Sequence, residues 1–299
     1  MKLLLLGAGG QVGRELHRSL SALGNVVVTS RDGRLPDGGT CEPLDLQDLA
    51  QIAVAIDRAA PDVVVNASAY TAVDRAESES ELAFLINAQA PGCMAVACAE
   101  RNVPLLHFST DYVFDGAAQR PYREDDPTAP TGVYGASKLA GEQLIAAAGG
   151  QHLILRTAWV YAQHGSNFLR TMLRLAGERD ELRVVADQVG CPTPAWLIAD
   201  VTAAILQQGI AQSGVRHLVT SGQTSWHGFA DAIVGQAFAH RLISRRPTVT
   251  AIASADFPTP AVRPAYSVLD CSLLAHDYGV SLPLWRDALA VTLAVQSPG

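Results

Sequence analysis

The strongest constraint on this chain is an alternation. Short apolar runs are separated by longer stretches with helical spacing. The runs are "KLLLL" (2–6), "NVVVT" (25–29), "DVVVN" (62–66), "VPLLHFS" (103–109), "HLILR" (152–156) and "RHLVT" (216–220). Nearly all their positions are apolar, and Gly, Pro, Asp or Asn bounds them. A strand with one wet face would alternate polar and apolar residues, so continuous apolar runs suit strands covered on both faces of a parallel sheet. Alanine- and leucine-rich segments at 47–60, 81–101 and 136–148 have helical spacing. Strand and helix in alternation predict an α/β fold, a doubly wound parallel sheet with right-handed crossovers. Past residue 157 the pattern loosens and proline becomes more frequent. The expected division is a first unit over 1–157, with later segments near 184–220 returning to its sheet, and a smaller interleaved unit over 158–299.

Composition narrows the class. With 299 residues, 48% hydrophobic and 17% charged, the chain can bury a core and lacks a disordered signature. A formal charge of −7 argues against wholesale binding to nucleic acid. The cysteines at 41, 93, 98, 191 and 271 form no CxxC pair and are odd in number, which suits a reducing compartment. The opening "MKLLLLG" is too short in leucine for a signal peptide and stops in glycines. No run of about eighteen apolar residues offers a membrane span. A soluble, cytoplasmic protein is expected.

Directly after the first run comes "GAGGQVG", with Gly7, Gly10 and Gly13 spaced GxxGxxG. A strand, a glycine turn and a helix let the backbone approach a pyrophosphate whose charge sits at the helix N-terminus. The bland reading is a tight turn that binds nothing, but the position in the first βα unit favours a Rossmann-type dinucleotide site over 1–157. At the end of the second run an acidic residue would suit NAD, and an arginine the 2′-phosphate of NADP. Here "TSRD" supplies Ser30, then Arg31, then Asp32, which points to NADPH and leaves NADH open. Asp45, in "LDLQD", follows what should be a third short strand, where the carboxylate or neighbouring backbone such as Leu46 can meet the adenine.

Only two of the 22 basic side chains are lysines, Lys2 and Lys138. A lysine kept in an arginine-rich chain is a candidate for work a guanidinium cannot do. Lys138 lies in "VYGASKLAGE", four residues after Tyr134, on the same face of a helix. A phenol ionises near pH 10, and a nearby ammonium favours the phenolate, so Tyr134 can exchange a proton with a carbonyl oxygen. The competing reading is an accidental pair on an exposed helix. In "HFSTDYVFDG", Ser109 and Thr110 end an apolar run, at the sheet edge where ligands bind; a hydroxyl there can steady a developing alkoxide or merely shape a turn. Asp111 can do either.

These residues resemble the extended short-chain dehydrogenases/reductases, and among them the dTDP-4-dehydrorhamnose reductase family. The likeness runs over nearly the whole chain, through "GAGGQVGREL", "PDVVVNASAYTAVDRAESE", "STDYVFDG", "VYGASKLAGE", "RTAWVYAQHGSNF", "DQVGCPT", "TSWHGFA" and "TPAVRPAYSVLD". It implies that Tyr134 is the general acid, that Lys138 holds the nicotinamide ribose and that Thr110 completes the triad. Gly10, Gln11 and Val12 would line the pyrophosphate, and Ala67, Ser68 and Ala69 would pass beside the cofactor. Asp111 and Trp159 match positions at the sugar, and Arg263 the nucleotide end. The implied activity is NAD(P)H-dependent reduction of the C4 carbonyl of dTDP-4-dehydro-6-deoxy-L-mannose, with 158–299 as the sugar-nucleotide domain.

Two departures from the family pattern stand out. Ser30 and Arg31 replace the acidic residue after the second strand. Glu15 matches a glutamate through which some relatives bind Mg2+ at a dimer contact, but "DQVGCPT" contains no glutamate, so no metal site is expected and a homodimer stays open. An epimerase or dehydratase would share the Tyr134–Lys138 pair. Dehydratases, however, resemble one another in a Thr-Asp-Glu whose third position is Tyr112 here. A dinucleotide-reading regulatory subunit, like those of methionine adenosyltransferase, would not need Thr110, Tyr134 and Lys138 intact.

Overall fold

The computed structural model describes residues 1–294. Its first half alternates as β1 (Lys2–Leu6), α1 (Gln11–Leu20), β2 (Asn25–Ser30), β3 (Glu42–Pro43), α2 (Leu49–Ala59), β4 (Val63–Asn66), α3 (Ser80–Glu100), β5 (Leu105–Thr110), α4 (Val133–Ala147) and β6 (His152–Thr157). Then come α5 (Phe168–Glu178), β7 (Glu181–Val185), α6 (Ala195–Gln208), β8 (Gly214–His217), α7 (Trp226–Ala239), β9 (Thr248–Ile252), α8 (Ser272–Tyr278) and α9 (Trp285–Ala294).

Seven strands form one parallel sheet in the order β8-β6-β5-β4-β1-β2-β3. Leu3 to Leu6 of β1 are wholly buried because side chains on both faces meet helices. Burying one such leucine is worth roughly 2 kcal/mol, so a charge in this run would be costly. One face is closed by α1, α6 and α8, through Leu16, Leu20, Ile198, Ile205 and Leu274; the other by α2, α3 and α4, through Ile52, Ile56, Met94 and Ile145.

In α2 the buried positions are Ile52, Ala55, Ile56 and Ala59, one stripe at helical spacing. The 216–220 run starts two residues into its strand and ends three past it: the ladder covers Gly214–His217, and Leu218 and Val219 stay buried beyond it. A separate core gathers Tyr161, Phe229 and Trp285 under α5, α7 and α9, beside the parallel pair β7–β9.

Helix α3 is expected to be regular and is not. A π-turn occupies Leu85–Gln89, just before Pro91. Proline has no N–H and crowds the carbonyl four residues back, which is that of Asn87. The freed carbonyl faces α4 at Gly141, where a methyl group would stand 2.1 Å from the Asn87 oxygen. Among the described residues, α3 alone is long and apolar enough to cross a membrane; here it packs as a core helix.

Candidate active site

Because β1 lies between β4 and β2, connections leave it in opposite directions and open a crevice beyond the strands' C-terminal ends. A cavity of about 900 Å³ occupies that crevice. Gly7, Gly10, Gln11, Val12, Ser30, Arg31, Asp45, Leu46, Ala67, Ser68, Ala69, Thr110, Asp111, Tyr134, Lys138 and Trp159 all line it. Gly13 and Arg263 do not.

Gly7 leaves β1 with φ +83°, and a methyl on it would lie 2.6 Å from Ser68 Oγ. Both facts require glycine there. Helix α1 begins at Gln11 with no side-chain cap and no acidic residue in its first turn, so its first N–H groups remain free for an anion. That cradle fits a dinucleotide pyrophosphate. Gly13 acts behind it, pressing the helix against the Gly7 carbonyl. At the end of β2, Ser30 Oγ donates to the Arg34 carbonyl at 2.9 Å, which turns the chain and leaves Arg31 exposed on the cavity lip. Asp45 accepts from the Gln47 N–H at 3.0 Å.

Tyr134 and Lys138 enter from the first turns of α4. Glu77 caps that helix by accepting from the Val133 N–H at 2.9 Å. Gly135 lets the helix touch the turn after β5, for a methyl there would stand 2.1 Å from the Tyr112 oxygen. Thr110 Oγ1 donates to Asp111 Oδ1 at 3.0 Å and accepts from the Tyr112 N–H at 3.2 Å. Burial pushes the Tyr134 phenol up to about 12, with the Thr110 hydroxyl acting the other way. The lowering expected from a neighbouring ammonium is therefore not what this arrangement shows. Burial draws Lys138 down to about 8 and pushes Asp111 up to about 7, with the Ser267 and Thr110 hydroxyls acting against the second shift.

Opposite this cluster, Trp159 has φ +47°, an uncommon backbone for a bulky residue and a mark of a site held by its surroundings. Its indole stacks on Trp226 with centroids 3.6 Å apart and planes 4° from parallel. Gly190 makes room for the ring. Arg263 is spent elsewhere: Nη1 and Nη2 each donate to an Asp74 oxygen at 2.9 Å. Among the described residues no group of three His, Cys, Asp or Glu is arranged for a metal ion, and Glu15 accepts from His164 and Arg18.

The sequence reading missed Trp226, which reaches the wall only through tertiary packing. It also passed over Asn66 and His107, polar residues inside apolar runs, although both are fully buried behind Lys138. A buried imidazole within a strand is itself a signal.

A doubly wound sheet whose switch-point crevice joins a glycine cradle to a threonine, a tyrosine and a lysine is that of the extended short-chain dehydrogenases/reductases, a class of nicotinamide-dependent oxidoreductases. Within that class the chain belongs to the RmlD substrate binding domain family, whose model matches residues 1–297. It is similar to the dTDP-4-dehydrorhamnose reductase of Burkholderia thailandensis, 48% identical over 97% of each chain. It also resembles that of Salmonella typhimurium, 41% identical over 96% of this chain and 95% of the other. Among solved structures, the dTDP-4-dehydrorhamnose reductase of Bacillus anthracis in complex with NADP superposes with a TM-score of 0.89, at 31% identity over 99% of this chain and 100% of the other.

Proposed function

We propose that this chain reduces the C4 carbonyl of dTDP-4-dehydro-6-deoxy-L-mannose to give dTDP-L-rhamnose, with NADPH as the preferred cofactor. The observation that carries the proposal is the sharing of one cavity by the glycine cradle, Arg31, the Thr110–Tyr134–Lys138 cluster and Trp159. The family relatives and the NADP-bound structure support it.

When bound, the reduced nicotinamide supplies hydride. Gly10, Gln11 and Val12 hold the pyrophosphate, Ala67 to Ala69 pass beside the cofactor, and Arg31 meets the 2′-phosphate. Asp45 and Leu46 border the adenine. Thr110 turns its hydroxyl proton from Asp111 to the substrate oxygen at C4, and Tyr134 gives that oxygen its proton. Lys138 holds the ribose. Asp111 and Trp159 orient the sugar, within a substrate portion taken as 158–299. Arg263 is assigned the nucleotide end, where a phosphate would compete with Asp74 for the same guanidinium fork.

All five cysteines are free thiols, which fits a cytoplasmic setting. The assembly proposed is a homodimer with no bridging metal, read by sedimentation mass. The test of the activity is transfer of deuterium from NADPH labelled at the reacting carbon. Appearance of label at sugar C4 in dTDP-L-rhamnose supports the reading; label staying on the nucleotide removes it.

A further inference from the structure

Behind the cavity wall, Lys138 is 1% exposed, and His107 and Asn66 are fully buried. Lys138 Nζ lies 2.6 Å from the Phe108 carbonyl oxygen and 3.0 Å from His107 Nε2. The far end of the chain of contacts decides where the proton in the second contact sits. The backbone N–H of Ser68, which can only donate, is 3.0 Å from Asn66 Oδ1. That contact orients the Asn66 amide and places its Nδ2 3.0 Å from His107 Nδ1. An amide NH2 has no acceptor, so His107 Nδ1 must be bare and the neutral ring carries its proton on Nε2.

That proton faces Lys138. An ammonium has three donors and no lone pair, so two N–H groups would oppose each other at 3.0 Å in a dry interior. An imidazolium fails as well, because its Nδ1–H would oppose the Asn66 NH2. A neutral amine satisfies every contact, accepting from His107 Nε2–H and donating to the Phe108 carbonyl.

We propose that His107 is a positioning residue that stabilises the amine form of Lys138, through a relay running Ser68 N–H to Asn66, Asn66 to His107 and His107 to Lys138. The proposal rests on the reading of Lys138 as the lysine of the reductase cluster. It goes beyond that reading by giving the lysine a proton state and naming what sets it. Burial acts in the same direction, lowering Lys138 to about 8 and His107 well below the usual imidazole range.

The other titratable groups around Lys138 do not supply the amine's partner. Glu142, one turn along α4, raises Lys138 but is taken up by Arg156 of β6 at 2.6 and 2.9 Å. Tyr134 lies one turn back on α4, and Asp111, past the end of β5, acts on Tyr134. From β4 comes only the uncharged Asn66.

The scarcity of lysine makes the test direct. Protein carrying 13C-lysine, without added nucleotide, gives signals from Lys2 and Lys138 alone; a Lys138→Met variant assigns them. The Lys138 signal is expected to titrate below pH 8, because burial alone brings it to about 8 and the relay lowers it further. In His107→Gln, whose side-chain oxygen can accept from an ammonium, the midpoint should rise so that proton affinity increases about tenfold or more. In 15N-histidine protein, His107 should show the Nε2–H tautomer. An ordinary lysine midpoint, a midpoint unmoved by His107→Gln, or an Nδ1–H tautomer overturns the proposal. Should His107→Gln fail to fold, the two wild-type signals decide alone. NADPH oxidation reads the function separately: its failure with the relay signals intact removes the reductase reading and leaves the relay.

Discussion

Gly13 lies so close to Gly7 that a methyl group on it would stand 2.0 Å from the Gly7 carbonyl oxygen and 2.7 Å from its carbon. In an ordinary helix, alanine for glycine gains about 0.5–1 kcal/mol. Here the neighbour is backbone and cannot step aside without moving the glycine turn after β1. Gly13→Ala is therefore expected to cost ~2 kcal/mol or more and to weaken dinucleotide binding. Thermal unfolding checks it: an unchanged or raised Tm contradicts the packing role.

Asp111 offers a pH test. Its folded-state midpoint, about 7, lies above the ordinary carboxyl value of 3.8 because of burial. The protonated form is thus favoured in the fold. That contribution is complete below pH 3.8 and is lost as pH rises through 7. Asp111→Asn should unfold like wild type near pH 4 and gain stability up to pH 8, reaching ~4 kcal/mol. A flat difference across that range sinks the buried-carboxyl account.

Arg31 stands exposed at the lip of the cavity, and no carboxylate ends β2. A charge-assisted bond to a 2′-phosphate is worth ~1.5–3 kcal/mol. Arg31→Ala should raise the NADPH KM about tenfold or more and leave that for NADH nearly unchanged. Equal effects on both would show that Arg31 does not read the phosphate.

The Trp159–Trp226 stack forms the far wall. Removing either ring takes away a flat apolar surface while the cradle 7–13 stays in place. Trp226→Ala should raise KM for the sugar nucleotide, with cofactor affinity within about twofold of wild type, since ring contacts contribute ~0.5–1.5 kcal/mol beyond burial. Parallel loss of both affinities in a folded variant would mean that the stack holds the fold and not the sugar.

The central strands were legible because both faces of a parallel sheet demand apolar side chains, and "KLLLL" and "DVVVN" contain little else. The glycine cradle and the Tyr134–Lys138 pair were legible because local spacing places them. What escaped depends on distant contacts. The π-turn before Pro91 relies on α4 approaching the freed Asn87 carbonyl at Gly141, and Trp226 reaches the cavity wall from a helix far along the chain. Arg263 matched the nucleotide end by resemblance, and its fork onto Asp74, 189 positions away, had no local signal. His107 hid inside an apolar run, where a polar residue reads as a tolerated interruption. The raised Tyr134 midpoint was equally invisible, since burial and not sequence neighbours dominates it.

The measurement closest to the central claim is loss of reduced-nicotinamide absorbance when the protein meets freshly made dTDP-4-dehydro-6-deoxy-L-mannose, with NADPH and NADH side by side and Tyr134→Phe as control. Oxidation that requires the sugar nucleotide, favours NADPH and falls by ~10²–10⁴ in Tyr134→Phe, with cofactor affinity nearly intact, is the expected result. Binding of a dinucleotide without its consumption, or a rate unchanged in Tyr134→Phe, would contradict it.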